Sequence, residues 1–205
     1  QGDPASGPAT SIVSAELMDE LGVAFPEAHL DADGMTRLAE AGRTLYGFDV
    51  VMPLFSVCHD SAALGVPVDW GGRLRMPSAT RPIWHTAEDV RIPRDFLRHE
   101  AARVPLQSIS LLRKRLGDDA AVCGKVMGPW TLGYHAFGIE RWLISTLDDP
   151  DMIKRAIEKM KKATIAYALA QLDAGADCMM VADHATRDLC SPAAYGGFLK
   201  EVHAE

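Results

Sequence analysis

Asp177-Cys178-Met179-Met180-Val181-Ala182-Asp183 is a short apolar run closed at both ends by an acid, with no alternation of apolar and polar positions. A run of that length and kind reads as a parallel strand covered on both faces. Working backwards, Pro150 to Ala174 places Ile153, Ile157, Met160, Thr164, Tyr167 and Leu172 near one helical face, and Gly138 to Leu147 reads as a further helix. Ala120 to Met127 is a second buried run, ending at Gly128-Pro129, and Ile92 to Gly117 is helical with an interruption expected at Pro105. Forwards, Ser191-Pro192 opens the last helix with a cap and a first-turn proline.

The same rhythm continues upstream. Ser14 to Gly22 carries Ala15, Leu17, Met18 and Leu21 on one face, with Ser14 as N-cap and Gly22 as stop. Asp31 to Gly47 repeats the pattern with Met35, Leu38, Ala39, Gly42, Leu45 and Tyr46. Phe48-Asp49-Val50-Val51-Met52-Pro53-Leu54-Phe55 is another unalternating strand, followed by a short helix around Ser61 to Gly65. Residues 66–93, rich in Pro, Gly, Arg and Trp, read as a long loop or small hairpin, and long segments of that kind are often functional.

Strands alternating with helices imply parallel pairing, in either a barrel or an open doubly wound sheet. No strand is followed by G-x-G-x-x-G or G-x-x-x-x-G-K, which removes the usual nucleotide-binding open sheet and favours a (β/α)8 TIM barrel. A complete barrel takes roughly 250 residues. With 205 residues, opening at Gln1 and closing at Glu205 inside an apparent helix, the chain is expected to be a single partial barrel domain over residues 1–205, cut at both ends.

The formal charge of -7 disfavours nucleic acid, whose binding needs clustered Lys and Arg. No run reaches the ~20 apolar residues of a membrane span, and Gln1 to Gly7 is unlike a signal peptide. Cys58, Cys123, Cys178 and Cys190 form no CxxC pair and are expected to be reduced, in a cytoplasmic protein.

Ligands of both architectures gather where strands end. Ser56, Cys58, His59 and Asp60 follow the first buried strand; Met127, Trp130, Thr131, Tyr134 and His135 close or follow the second; Asp183, His184, Thr186 and Arg187 close or follow the third. Each of these could equally cap a helix or pack a loop, and the clustering is what favours a site. Asp183-His184 could supply a general base, a metal ligand or a polar anchor, or brace the strand end. Cys58-His59 alone cannot complete a zinc sphere, since adjacent strand residues point apart. Gly128-Pro129-Trp130-Thr131-Leu132-Gly133 is either a plain strand-to-helix turn or a helix start whose N–H groups face an anion. The methionines read as packing, with Met127 at a strand end also a candidate for the pocket wall.

Taken together, these segments carry a resemblance. Thr10-Ser11-Ile12-Val13-Ser14-Ala15-Glu16-Leu17-Met18-Asp19, with Phe25-Pro26-Glu27-Ala28-His29, resembles the first strand and helix of methylcobalamin:coenzyme M methyltransferases and of the methyltransferase domain of chloromethane-using bacteria. Cys123 to Leu132 resembles the turn of the uroporphyrinogen decarboxylase superfamily, and Gly175-Ala176-Asp177 through Val181-Ala182-Asp183 to Leu189-Cys190-Ser191-Pro192 is similar to its later strand and helix start. The resemblance implies a uroporphyrinogen decarboxylase-type barrel. Decarboxylases of that superfamily carry an N-terminal arginine cluster and a strand-end aspartate; the corresponding position here is Ser56 and the cluster is missing, which favours the methyltransferase branch.

That branch implies transfer of a methyl group between a methylcobamide, as substrate on a corrinoid protein, and a thiol or tetrahydrofolate acceptor. It also implies zinc held by His-x-Cys and a distant Cys; the chain has no His-x-Cys, so zinc ligands are expected beyond Glu205 and none is assigned here. The residues carried over are Asp183 and His135 as catalytic groups, with Ser56, His59, Met127, Thr131 and His184 as the substrate or corrinoid wall. A tetrapyrrole lyase and a non-catalytic corrinoid-binding barrel are the alternatives.

Overall fold

The computed structural model describes residues 13–205; the resembling stretch Thr10-Ser11-Ile12 and the polar start Gln1 to Gly7 lie outside them. The chain runs α1 (Ala15–Leu21), α2 (Ala32–Thr44), β1 (Val50–Val51), α3 (His59–Ala63), β2 (Val68–Asp69), β3 (Ser78–Ala79), α4 (Glu100–Leu116), β4 (Ala121–Met127), α5 (Pro129–Phe137), α6 (Ile139–Asp148), α7 (Pro150–Asp173), β5 (Cys178–Ala182) and α8 (Pro192–Phe198), with 3-10 turns between some of them.

Strands β1, β4 and β5 form one parallel sheet in that order, with Val50 opposite Ala121 and Cys123 opposite Cys178. Sheet order follows chain order with no reversal, as in a barrel rather than a doubly wound sheet. Three parallel strands stand where a complete barrel has eight, so the described residues hold part of one. Segment 66–93 contains the β2–β3 antiparallel hairpin, apart from the main sheet.

Local chemistry explains the helix boundaries. Ser14 Oγ accepts from Leu17 N and Gly22 stops α1 in the left-handed region (φ 60°). Asp31 caps α2, Asp149 caps α7 ahead of Pro150, and Ser191 caps α8 ahead of Pro192. α4 runs unbroken through the expected interruption at Pro105, which is buried within it. The ring removes one N–H, and the packing of the buried face outweighs that loss.

The core joins β1, β4, α4, α5 and α7, with Trp130, Trp142, Tyr167, Phe137 and Ile109 fully enclosed. Two helical stripes end differently from their periodicity. Leu45 and Tyr46 lie past the end of α2 and are exposed, and near the end of α7 it is Gln171 that is buried while Leu172 faces out. Gln171 earns its burial by function in the sheet: pairing of β1 with β4 stops at Val51–Val122, next to Pro53, and the Gln171 amide bonds both the N–H and the carbonyl of Lys125 (2.9 and 2.8 Å). Among the described residues no helix is long and apolar enough to cross a membrane.

Candidate functional site

Strand β4 delivers the chain to Gly128, whose N–H donates to Ala182 O on β5 (3.0 Å), and α5 begins at Pro129. Gly128 has no side chain to cap that helix. Asp183, at the end of β5, takes over: Oδ1 accepts from Thr131 N (2.7 Å) and Thr131 Oγ1 (2.8 Å), and Oδ2 from Trp130 N (3.3 Å), with His203 Nε2 at 3.0 Å. A carboxylate on the free N–H groups of a helix start is favoured by both hydrogen bonding and the helix dipole. The approach requires glycine at 128, since a Cβ there would overlap the Asp183 carboxyl group. Thr131 Oγ1 also accepts from His184 N (2.7 Å), and Tyr134 Oη donates toward the carbonyls of His184 and Leu189 (3.2 and 3.3 Å). The end of β5 and the start of α5 are thus one braced unit, and the Asp183 side chain is only 3% exposed.

Beside this brace opens a cavity of about 440 Å³ lined by Cys58, Arg81, Tyr134, His135 and His184 among others. His135, on α5, has Nδ1 2.8 Å from Ser61 Oγ. Burial first, and the neighbouring His184 second, push its pKa down to about 4, so the ring is neutral near pH 7. A neutral imidazole oriented through one nitrogen can take or give a proton through the other.

The remaining sequence candidates, expected in the substrate wall, are buried and do not line the cavity. Ser56 is buried and its Oγ accepts from Cys58 N (3.0 Å), shaping the turn after β1. His59 is wholly enclosed with Nε2 2.9 Å from His29 O. Met127 is buried, its N–H donating to Asp60 Oδ2 (2.9 Å), its carbonyl accepting from Thr164 Oγ1 (2.9 Å) and its sulfur 3.7 Å from Ser61 Oγ. His135 and His184 therefore line the cavity, Thr131 and Asp183 build the brace beside it, and Ser56, His59 and Met127 belong to a buried layer outside its lining.

That layer holds groups the sequence reading did not single out. Lys125 lies two residues before the end of β4 and is 9% exposed; Asp60, in the first turn of α3, is 4% exposed. Burial pushes the Asp60 carboxyl up to about 6 and the Lys125 ammonium down to about 8. His29 is driven to about 3 by burial and by the charges of its neighbours His59 and Lys125, and burial takes His59 to about 4. The Trp70 ring stands 5.0 Å from His59 and 5.8 Å from His29. A lysine inside an otherwise apolar strand was the available signal, because Lys is almost never buried without a purpose.

Zinc finds no site here. Among the described residues no three His, Cys, Asp or Glu side chains converge to hold a metal, and all four cysteines are free. No chemical step is assigned to it.

Residues 6–205 match the uroporphyrinogen decarboxylase (URO-D) family. The chain is 32% identical over 187 residues to the methylcobamide:CoM methyltransferase MtaA of Methanosarcina barkeri, covering 90% of this chain and 55% of that protein. It is 31% identical over 193 residues to the methylated-thiol–coenzyme M methyltransferase of Methanosarcina mazei, covering 93% of this chain and 52% of that protein. A solved structure described as a methyltransferase from Methanosarcina mazei superposes with a TM-score of 0.88 at 30% identity, over 97% of this chain and 60% of that one. The chain spans about half the length of the curated relatives it matches. On sequence and fold alike, this chain belongs to the uroporphyrinogen decarboxylase family.

Proposed function

We propose that the protein is a methyltransferase that moves a methyl group from a methylcobamide, carried on a corrinoid protein, to a small thiol. The observation that carries this reading is the strand-end cavity lined by a neutral, Ser61-oriented His135, in a chain similar over nine-tenths of its length to a methylcobamide:CoM methyltransferase. Tetrahydrofolate is the competing acceptor, and the relatives' names favour the thiol.

A thiol that accepts a methyl group gives up its proton as the sulfur–carbon bond forms, and the electron pair of the broken cobalt–carbon bond stays with the corrinoid substrate. His135 is the residue placed to receive the proton, on the ring nitrogen that Ser61 does not hold. Asp183 acts as a positioning residue: by fixing the first turn of α5 through Trp130, Thr131 and the Gly128 turn, it sets the direction from which His135 enters the cavity one turn later. Thr131 couples that helix to the backbone of His184 on the opposite rim. Ser56, His59 and Met127 act from behind the lining, Ser56 by shaping the turn that carries Cys58 and Met127 by its contact with Ser61. Zinc of the kind used by the resembling branch would draw its ligands from outside residues 13–205. The four free thiols suit a cytosolic location.

The test is an anaerobic visible-spectrum assay of methylcobalamin with the intact protein, offering mercaptoethanesulfonate (coenzyme M), mercaptoethanol and tetrahydrofolate separately. Loss of the methyl–cobalt band with a thiol, reduced about a hundredfold or more in His135→Gln, is the expected result. Loss only with tetrahydrofolate would replace the acceptor, and no loss with any would overturn the reading.

A further inference from the structure

Lys125 is a nearly buried cation without a partner. Its backbone is fully used, by Gln171, but its ammonium takes part in no hydrogen bond or ion pair among the described residues. Asp60, the acid whose charge acts on it, instead turns Oδ2 to Met127 N (2.9 Å) and makes no salt bridge. The Nδ1 atoms of His29 and His59 are likewise buried with nothing bonded to them. Buried polar groups are nearly always satisfied, and a buried ammonium left unpaired costs more than a neutral group. The unbonded Lys125 ammonium and the enclosed Nδ1 of His29 mark a place for a ligand or ordered solvent that carries acceptors.

Strand geometry says which way the site faces. A Cβ on Gly124 would meet Gln171 of α7 and Met179, so that face of β4 looks toward α7. Alternation turns Cys123, Lys125 and Met127 to the other, inner face. Lys125 stands two residues below the strand's C-terminal end, ~6.6 Å at the rise of a strand. Cys58, whose thiol feels the Lys125 charge, lines the cavity. Lys125 is not part of the lining of the cavity that holds His135, so a ligand bridging the two would reach the ammonium past Cys58.

We propose that Lys125 anchors the anionic end of the acceptor thiol, a sulfonate or carboxylate, with the thiol end directed toward His135, and that the unpartnered Nδ1 of His29 is the second donor of this anion-facing layer. The inference rests on the thiol reading for what the second end does, but the anion site itself stands on Lys125. Lysine fits as a point charge able to rotate its donors onto a tetrahedral or planar anion. The neutral His29 ring can donate its Nδ1–H without adding a repulsive charge, whereas His59, whose Nε2–H donates to His29 O, keeps an acceptor at Nδ1 and offers the anion nothing.

The experiment measures calorimetric binding to the intact protein of mercaptoethanesulfonate, mercaptopropionate, mercaptoethanol and thiol-free ethanesulfonate, in the wild type, K125Q and K125R. The wild type should bind the anionic thiols about tenfold or more tightly than mercaptoethanol, as one charge-assisted contact supplies. K125Q should lose that preference while holding mercaptoethanol unchanged, and K125R should keep part of it. Equal binding of charged and uncharged thiols by the wild type, or equal weakening of all in K125Q, would overturn the anion site, and the wild-type comparison holds even if a variant fails to fold. Ethanesulfonate bound through Lys125 in a protein that methylates no thiol would retain the anion site and discard the methyl-transfer reading. Methyl transfer with equal kcat/KM for charged and uncharged thiols, and a silent K125Q, would do the reverse.

Discussion

Asp183 and Lys125 are both charged side chains at the C-terminal part of adjacent parallel strands, both almost out of water, and the protein treats them in opposite ways. The Asp183 carboxylate has Trp130 N, Thr131 N, Thr131 Oγ1 and His203 Nε2 around it, whereas the Lys125 ammonium has no bonded partner among the described residues. A satisfied buried charge returns its desolvation cost to the fold as a fixed joint; an unsatisfied one keeps that cost and holds it available to a ligand. The difference separates positioning from binding within a single layer of the barrel.

Three substitutions probe the satisfied side, in falling order of effect. Gly128→Ala should be the most damaging, by about 3 kcal/mol, because the added methyl occupies the space of the Asp183 carboxyl group and must push it off the start of α5. Urea unfolding of the variant at wild-type midpoint would show that Asp183 does not brace the helix. Asp183→Asn should cost about 2 kcal/mol: one acceptor oxygen remains, but the amide turns a donor toward groups that also donate. Thr131→Val should cost about 1 kcal/mol, since it removes a hydroxyl that links Asp183 Oδ1 to His184 N while leaving the Thr131 backbone bond in place. If Thr131→Val proved worse than Asp183→Asn, the hydroxyl rather than the carboxylate would be the centre of the joint.

How far each side could be read from sequence follows from the same contrast. The strand runs at Val50, Ala121 to Met127 and Cys178 to Ala182, the caps at Ser14 and Ser191, and the proline starts of α5, α7 and α8 are local patterns, and the structure has them. Asp183 and Thr131 stood out because strand-end polar residues are conspicuous; that they bond each other across 52 positions is not visible in either neighbourhood. Lys125 was hidden in the opposite way, as one charge inside an apolar run. β5 reads as a strand covered on both faces, like β4, yet Cys178, Met180 and Val181 are exposed while β4 is buried from Val122 to Met127. Coverage depends on neighbouring elements, and among the described residues β4 has α4, α7 and a strand on either side whereas β5 has a slighter contact with α7 and a strand, β4, on one side only.

The unsatisfied side is probed by the pH dependence of Asp60→Asn, the most specific of these effects. In the folded protein the Asp60 carboxyl is held up to about 6, above the usual aspartate value near 3.8, chiefly by burial. The folded state therefore binds the proton more tightly than the unfolded chain, so ionised Asp60 is a penalty at pH 7 that disappears as pH falls through 6 toward 4. Asn is neutral throughout and its Oδ1 still accepts from Met127 N–H. Asp60→Asn should then be more stable than wild type by up to about 3 kcal/mol at pH 7, with the difference vanishing near pH 4. The buried imidazoles of His29, His59 and His135 lower the stability of both proteins over that range, because they stay neutral when folded and protonate when unfolded. Subtracting the two curves removes their contribution. A difference that grows on acidification would mean that ionised Asp60 is stabilised in the fold, as the partner of Lys125, and the layer would be as closed as the Asp183 brace.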